Sequence, residues 1–119
     1  MPARNDSLKD LLSRDREINI SVTGRKSRRT ISVPVWFVIQ DDQLYLLPVH
    51  GSDTQWYKNL LKNPTIRIAL RGAEAESRAV FISDAARVSS VVEKFRGKYG
   101  SSDVKNYYSR LDVAVLIQL

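Results

Sequence analysis

Along much of the chain, apolar and polar residues alternate with the two-residue period of a half-buried strand. Ile18, Ile20 and Val22 alternate with polar neighbours and predict a first strand over residues 18–24. Five later segments have the same strand character: 30–40, 43–49, 65–70, 76–82 and 112–119. Pro34 lies inside the second segment and has no amide hydrogen, so we expect it on an edge strand or at a bulge.

Other segments repeat apolar residues at helical spacing. Leucines at this spacing predict an N-terminal helical segment within residues 1–16. A second helix begins near Ser52, because Gln55 follows three residues later in a capping-box pattern, and it ends at Pro64. Its predicted apolar stripe consists of Trp56, Tyr57, Leu60 and Leu61.

The third helical segment spans residues 83–100. Its predicted buried face consists of Val88, Val91, Val92, Phe95 and Tyr99. We expect this helix to end at Gly97 or Gly100, because glycine readily takes the left-handed backbone that closes many helices. Six mostly antiparallel strands with two to three peripheral helices predict a mainly β (α+β) fold, a small barrel forming a single domain over residues 1–119.

Composition excludes several kinds of active site. The chain has 119 residues, no cysteine and a single histidine, His50, so one chain cannot form a thiolate or multi-histidine metal site, and we predict no bound metal. The absence of cysteine fits a reducing cytoplasm, and no apolar run approaches the roughly 20 residues of a membrane span. Neither a nucleophile motif nor paired carboxylates occur, so we assign no catalytic residue and expect any enzyme chemistry to come from a cofactor.

Positive charge is concentrated in one predicted hairpin turn. Four cations, Arg25, Lys26, Arg28 and Arg29, supply +4 of a net charge of +6. A hairpin tip presents side chains and free backbone N–H groups together, which suits a phosphate or carboxylate. A solvated turn and a nucleic-acid contact are the alternatives. Nucleic acid is disfavoured, because Trp36 and Phe37 fall within a strand and not among the cations.

A second candidate segment is the strand end that leads into the helix near Ser52. Residues 49–52 precede the helix, where backbone donors and the positive end of the helix dipole can meet an anion. By itself such a segment is more often an ordinary turn, and a lone histidine such as His50 is more often structural than catalytic.

The spacing of the two segments resembles the deazaflavin (coenzyme F420)-dependent nitroreductase family of split β-barrel proteins. The matching pieces are TGRKS at 23–27, PVWF at 34–37 and WYKNL with NP within 56–64. The resemblance extends from about residue 20 to 68 and continues more weakly to the C-terminus. It implies a six-stranded split β-barrel that transfers a hydride from the reduced deazaflavin to a quinone, a nitro compound or an activated alkene.

The resemblance also implies which residues contact the cofactor. Its anionic tail is assigned to Arg25, Lys26 and Ser27, and its ring and side chain to Val49, His50, Gly51, Ser52, Trp56, Tyr57 and Asn59. Two positions depart from the family pattern: Arg28 stands where glycine is usual, and His50 where lysine is frequent. Because arginine tolerates a positive φ poorly, we expect the turn to differ in shape.

The sequence leaves alternatives for the cofactor, the catalytic role and the oligomeric state. The split barrel could hold flavin mononucleotide (FMN) in place of F420, or it could be a non-catalytic module that binds a cofactor or nucleic acid. The expected partner is a small-molecule electron acceptor, and a homodimer is one of the open oligomeric states.

Overall fold

A computed structural model of the protein describes Leu12 and residues 15–119. The strands are β1 (Ile18–Thr23), β2 (Thr30–Val35), β3 (Phe37–Gln40), β4 (Gln43–Leu46), β5 (Thr65–Leu70), β6 (Ala73–Ile82) and β7 (Ala114–Gln118). The helices are α1 (Gln55–Lys62), α2 (Ala85–Tyr99) and α3 (Ser101–Tyr107), and a 3-10 turn covers Gly51–Asp53. The predicted N-terminal helix lies almost entirely outside the described residues.

The seven strands form one antiparallel sheet in the order β2-β1-β5-β6-β7-β4-β3. The long strand β6 joins its two halves, because residues 73–78 pair with β5 and residues 79–82 pair with β7. The two outermost strands, β2 and β3, are separated along the chain by Trp36 alone, so the sheet curls back on itself. The result is the predicted split-barrel α+β fold, with three helices within residues 15–119, and Pro34 lies on an edge strand as expected.

The strand count is seven and not the predicted six, because the segment 30–40 breaks at Trp36. Two side chains of α2 form hydrogen bonds with the backbone N–H and carbonyl of the next residue, Phe37. Its N–H donates to the Tyr99 hydroxyl at 3.0 Å, and its carbonyl accepts from Lys98 Nζ at 2.9 Å. Trp36 stacks against Tyr99 and Tyr107, with ring centroids 4.4 Å and 4.3 Å away. At this point these contacts take the place of the backbone hydrogen bonds that a continuous strand would form with its neighbour.

Burial perturbs the two polar side chains that break the strand. It lowers the pKa of Lys98 to about 8, with the nearby Arg16 acting in the same direction. Burial also raises the pKa of the Tyr99 hydroxyl to about 12. Both groups contact Phe37, and the Lys98 ammonium lies 3.5 Å from the centroid of the Phe37 ring.

The long helix agrees with its predicted pattern. All five residues of the predicted α2 face are buried, and the side chain of Asp84 caps its N-terminus by accepting from the Arg87 amide at 3.0 Å. The helix ends at Gly100, which has φ of 95°. The chain then re-enters a helix, α3, that the sequence pattern did not predict, because this seven-residue segment buries only Val104.

The second predicted helix needs two corrections. It begins at Gln55 after the N-cap Thr54, so the capping box at Ser52 does not form. Its inward face holds Trp56, Tyr57, Asn59 and Leu60, whereas Leu61 is 54% exposed and does not belong to the stripe. The buried amide of Asn59 was not part of the predicted apolar stripe.

Candidate functional site

The basic turn joins β1 to β2 and is closed by its own backbone. Gly24 N donates to Arg29 O at 2.8 Å, and Arg28 N donates to Gly24 O at 2.9 Å. The Ser27 hydroxyl accepts from Arg29 N at 3.2 Å. A Cβ on Gly24 would lie 2.6 Å from Ser27 Oγ, so glycine at this position leaves room for the Ser27 hydroxyl where it accepts from Arg29 N.

Arg28 adopts the left-handed backbone that its position requires, with φ of 60°. At Arg28 the turn therefore has a backbone conformation that glycine adopts readily. An L-residue in this region pays a steric cost of roughly 1–2 kcal/mol. Asp41 and Arg71, each in a turn between two strands, have similar values of 55° and 51°.

Arg25 fastens this turn to α1. Its Nη1 donates to the Asn59 amide oxygen at 2.8 Å, and its backbone N donates to the same oxygen at 3.1 Å. Nη2 donates to Gln55 Oε1 at 2.8 Å. Asn59 is 4% exposed, so this buried amide is satisfied by an arginine 34 residues earlier in the chain.

The remaining cations of the turn face solvent. Lys26, Arg28 and Arg29 are exposed, and within the described part of the chain none of their side chains forms a hydrogen bond or an ion pair. Like charges this close repel one another, and the turn presents no acidic side chain to offset them. An anionic ligand would relieve this repulsion.

Residues 49–53, which contain the second predicted segment (49–52), are held by the loop that precedes β7. The imidazole Nδ1 of His50 lies 2.8 Å from the Ser109 hydroxyl, and Ser109 N donates to Val49 O at 2.9 Å. His50 N donates to Thr54 Oγ1 at 2.8 Å, which links the segment to the N-cap of α1. His50 is exposed, and its other ring nitrogen forms no hydrogen bond with a described residue.

Asp112 fixes the central part of that segment. One of its oxygens accepts from Ser52 N at 3.0 Å and the other from the Ser52 hydroxyl at 2.7 Å. Gly51 has φ of 56°, and a Cβ there would lie 2.0 Å from Asp112 Oδ1. Burial acts to raise the pKa of Asp112, but the bonds from Ser52 and the neighbouring Arg110 outweigh it and hold the pKa below its ordinary value.

The helix side chains assigned to the ring are almost fully covered. Trp56 is 7% exposed and Tyr57 is 5% exposed, and Tyr57 packs edge-on against Phe81 with ring centroids 5.7 Å apart. Burial raises the pKa of the Tyr57 hydroxyl, with a further contribution from Asp112. Both side chains belong to the hydrophobic core and expose only small edges.

The start of α1 brings the two predicted segments together. Arg25 of the basic turn contacts Gln55, the first residue of α1, and His50 contacts Thr54, its N-cap. The basic turn and the 49–53 segment thus both contact the N-terminus of one helix.

The loop before β7 was missed by sequence reasoning. Ser109, Arg110 and Asp112 lie 57 to 60 residues beyond their partners. Arg110 pairs with Asp53 at 3.1 Å and with Asp112 at 3.4 Å. No local pattern marks these residues, because they meet their partners only when β7 pairs with its neighbours. The S-R-L-D spacing alone is not a recognised motif.

Two open grooves of about 370 and 410 Å³ lie along α2 and α3 and share Arg96 and Leu111. Neither is lined by any of the ten predicted cofactor residues, although Asp112 reaches the first. Among the described residues, no group of three or more histidine, cysteine or acidic side chains is arranged for a metal. No helix in that part of the chain has the length and apolarity to cross a membrane.

The fold matches solved structures at low sequence identity. An F420-H2 dependent reductase (FDR-A) superposes with a TM-score of 0.67 at 18% identity, over 87% of this chain and 94% of that one. A domain-swapped dimer gives 0.68 at 17%, over 97% and 96%. HutZ, the heme storage protein from Vibrio cholerae, gives 0.71 at 13%, over 98% and 90%. At these identities the similarity shows the fold alone.

No curated protein sequence matches this chain. A family described as "Uncharacterized protein conserved in bacteria (DUF2255)" matches residues 8–116. That match covers nearly the whole sequence, and the chain therefore belongs to the DUF2255 family.

Proposed function

We propose that this protein binds an anionic deazaflavin of the coenzyme F420 type and uses it to reduce a small-molecule acceptor, namely a quinone, a nitro compound or an activated alkene. The observation that carries the proposal is the meeting of the basic turn and the 49–53 segment at the start of α1, through Arg25 and His50. The F420-H2 dependent reductase among the structural neighbours supports the same reading.

The residues present suit such a ligand. Lys26 is exposed and makes no contact with a described side chain, so it is available to a phosphate or carboxylate of the tail. In the proposal, Arg25 and Ser27 act mainly by keeping the turn in shape, because their polar groups already bond to Asn59 and to Arg29 N.

The 49–53 segment is proposed to orient the ring. Val49, Gly51 and Ser52 contribute backbone, and Asp112 keeps that backbone in place. His50 offers its outer ring nitrogen for a hydrogen bond while Ser109 holds the inner one. Trp56, Tyr57 and Asn59 back this surface from α1.

A bound reduced deazaflavin supplies the hydride. The residues of this chain bind and orient, and the proton that the acceptor needs is proposed to come from water, with His50 in a positioning role. No protein nucleophile takes part, in keeping with the residues of the site. The setting proposed for this chemistry is the cytoplasm.

FMN is the alternative cofactor. It carries one phosphate, whereas the turn presents three solvent-facing cations, and this excess favours the longer anionic tail of F420. A homodimer is part of the proposal, supported by the domain-swapped dimer among the neighbours.

The test is anaerobic turnover. Purified protein is mixed with reduced F420 and, in turn, a quinone, a nitroaromatic compound and an enone, and the return of oxidised deazaflavin absorbance is followed. Protein-dependent oxidation with at least one acceptor is expected, and a Lys26→Ala variant should need more F420 for the same rate. Absence of protein-dependent oxidation with all three acceptor classes would contradict the proposed activity.

A further inference from the structure

The side chain of Arg28 has no structural task in the described protein. Its backbone is held at φ of 60° by the bond from its own N–H to Gly24 O. Glycine would adopt this conformation more easily than arginine. Its side chain is exposed, and its guanidinium forms no hydrogen bond or ion pair with a described residue. Stability of the turn therefore gives no reason for an arginine here.

The other polar groups of the turn divide into two sets. Arg25 and Ser27 are used internally, on Asn59 and on Arg29 N. Lys26, Arg28 and Arg29 point to solvent without a partner among the described residues. We call these three residues the three-cation face.

The three-cation face concentrates its charge in four consecutive residues. Neighbouring Cα atoms are about 3.8 Å apart, so the Cα atoms of the three residues lie within about 11 Å, close to one Debye length at ordinary salt, and their charges repel one another. A monoanion offsets one of them. A ligand with two or more adjacent negative groups offsets more, and a guanidinium can grip such groups through paired N–H donors.

We propose that Lys26, Arg28 and Arg29 form one anion-binding surface on which Arg28 is the specificity-determining residue. Arg28 selects ligands that carry at least two adjacent anionic groups, such as a diphosphate or a phosphate followed by a carboxylate, over singly charged ones. The identity of the natural ligand as a deazaflavin tail rests on the proposed function, whereas the anion selectivity does not.

Arg71 provides a matched control. It is also an exposed arginine with positive φ, 51°, in the turn between β5 and β6. Because β1 and β5 are antiparallel and Asn19 pairs with Ala69, Arg71 lies beyond the opposite end of β1 from the basic turn, about 17 Å away along a six-residue strand. Arg71 pairs with Asp15 at 3.2 Å, so Arg71→Gly removes the same charge from the same kind of backbone at a distant place and also breaks that ion pair.

The experiment is calorimetric titration with inorganic triphosphate and, separately, inorganic phosphate. The proteins are the wild type, Arg28→Gly, Arg28→Lys and Arg71→Gly at one pH and a fixed moderate salt. The affinity for triphosphate should fall about tenfold in Arg28→Gly, the size of one charge-assisted contact. It should stay within twofold in Arg71→Gly and be largely retained in Arg28→Lys.

The ratio of triphosphate to phosphate affinity is the decisive readout, and melting temperatures accompany it. The ratio should fall in Arg28→Gly alone, while this variant melts no lower than the wild type because its turn backbone is relaxed. A wild type that does not bind triphosphate, or an Arg28→Gly variant with an unchanged ratio, would overturn the inference. Triphosphate binding that depends on Arg28 without any F420 binding would instead overturn the proposed function and leave this inference standing.

Discussion

The link between Arg25 and Asn59 can be measured as a coupling free energy. The guanidinium Nη1 lies 2.8 Å from the amide oxygen of Asn59, which is 4% exposed. Hydrogen bonds to charged groups contribute about 1.5–3 kcal/mol, and the half-exposed arginine places this one near the lower limit. We expect Arg25→Ala to reduce the free energy of unfolding by about 1.5 kcal/mol.

Asn59→Ala removes more. It removes the acceptor of both the guanidinium and the Arg25 backbone N–H, which lowers the free energy of unfolding by about 2.5 kcal/mol. About 0.5 kcal/mol of this loss is regained, because alanine is a better helix former than asparagine. The double variant should lose less than the sum of the two changes, by about 1 kcal/mol. Gln55→Ala is the control, because its bond to Arg25 is exposed and should change stability by less than about 0.5 kcal/mol.

Equilibrium urea unfolding, followed by tryptophan fluorescence, measures all four variants. If the loss of stability in the double variant equals the sum of the two single losses within about 0.5 kcal/mol, the reasoning that Arg25 braces the turn against α1 is refuted.

Three further predictions concern stability. Gly51→Ala places a Cβ 2.0 Å from Asp112 Oδ1 on a left-handed backbone and should lower the free energy of unfolding by about 2–4 kcal/mol; an unchanged melting temperature would show that the 49–53 segment is not held this way. Lys98 has a pKa of about 8 against an ordinary 10.5, so between these pH values the unfolded chain keeps a proton that the folded protein releases. The stability of the wild type relative to Lys98→Met should therefore rise with pH in chemical denaturation, and a fall would contradict the burial argument. Tyr108 has a buried hydroxyl without a hydrogen-bond partner among the described residues, so Tyr108→Phe should be neutral or more stable by up to about 1 kcal/mol in thermal unfolding; a clear loss would reveal a partner.

Local periodicity was enough to predict most of the framework. Alternation identified β1, with Ile18, Ile20 and Val22 all buried, and the helical spacing identified the buried face of α2. The edge position of Pro34 followed from its missing N–H. These features depend on neighbours along the chain, which the sequence displays directly.

The errors arose where distant residues compete for backbone groups. Tyr99 and Lys98 bond to the backbone of Phe37, 62 and 61 residues earlier, beside the strand break at Trp36. Asp112 accepts from Ser52 N and from the Ser52 hydroxyl, the two groups that the predicted capping box would have used. Arg28 shows the opposite case, since its neighbours enforce a backbone conformation that its own preference disfavours.

The candidate site was predictable in part. The cations of the basic turn and the proximity of the 49–53 segment to a helix start were readable from the sequence, and the structure joins both through Arg25 and His50. The supporting residues Ser109 and Asp112 were not. Their contacts depend on the pairing of β7, which periodicity predicts as a strand but does not position.

Side-by-side equilibrium dialysis against oxidised F420 and FMN tests the central claim most directly. Wild-type protein is dialysed with each cofactor at equal concentration, together with Lys26→Ala and the control Arg71→Gly. We predict that F420 is retained more strongly than FMN, that Lys26→Ala loses about tenfold in F420 affinity, and that Arg71→Gly does not. Tighter retention of FMN, or no retention of F420, would contradict the assignment of this protein as a deazaflavin-binding member of its fold.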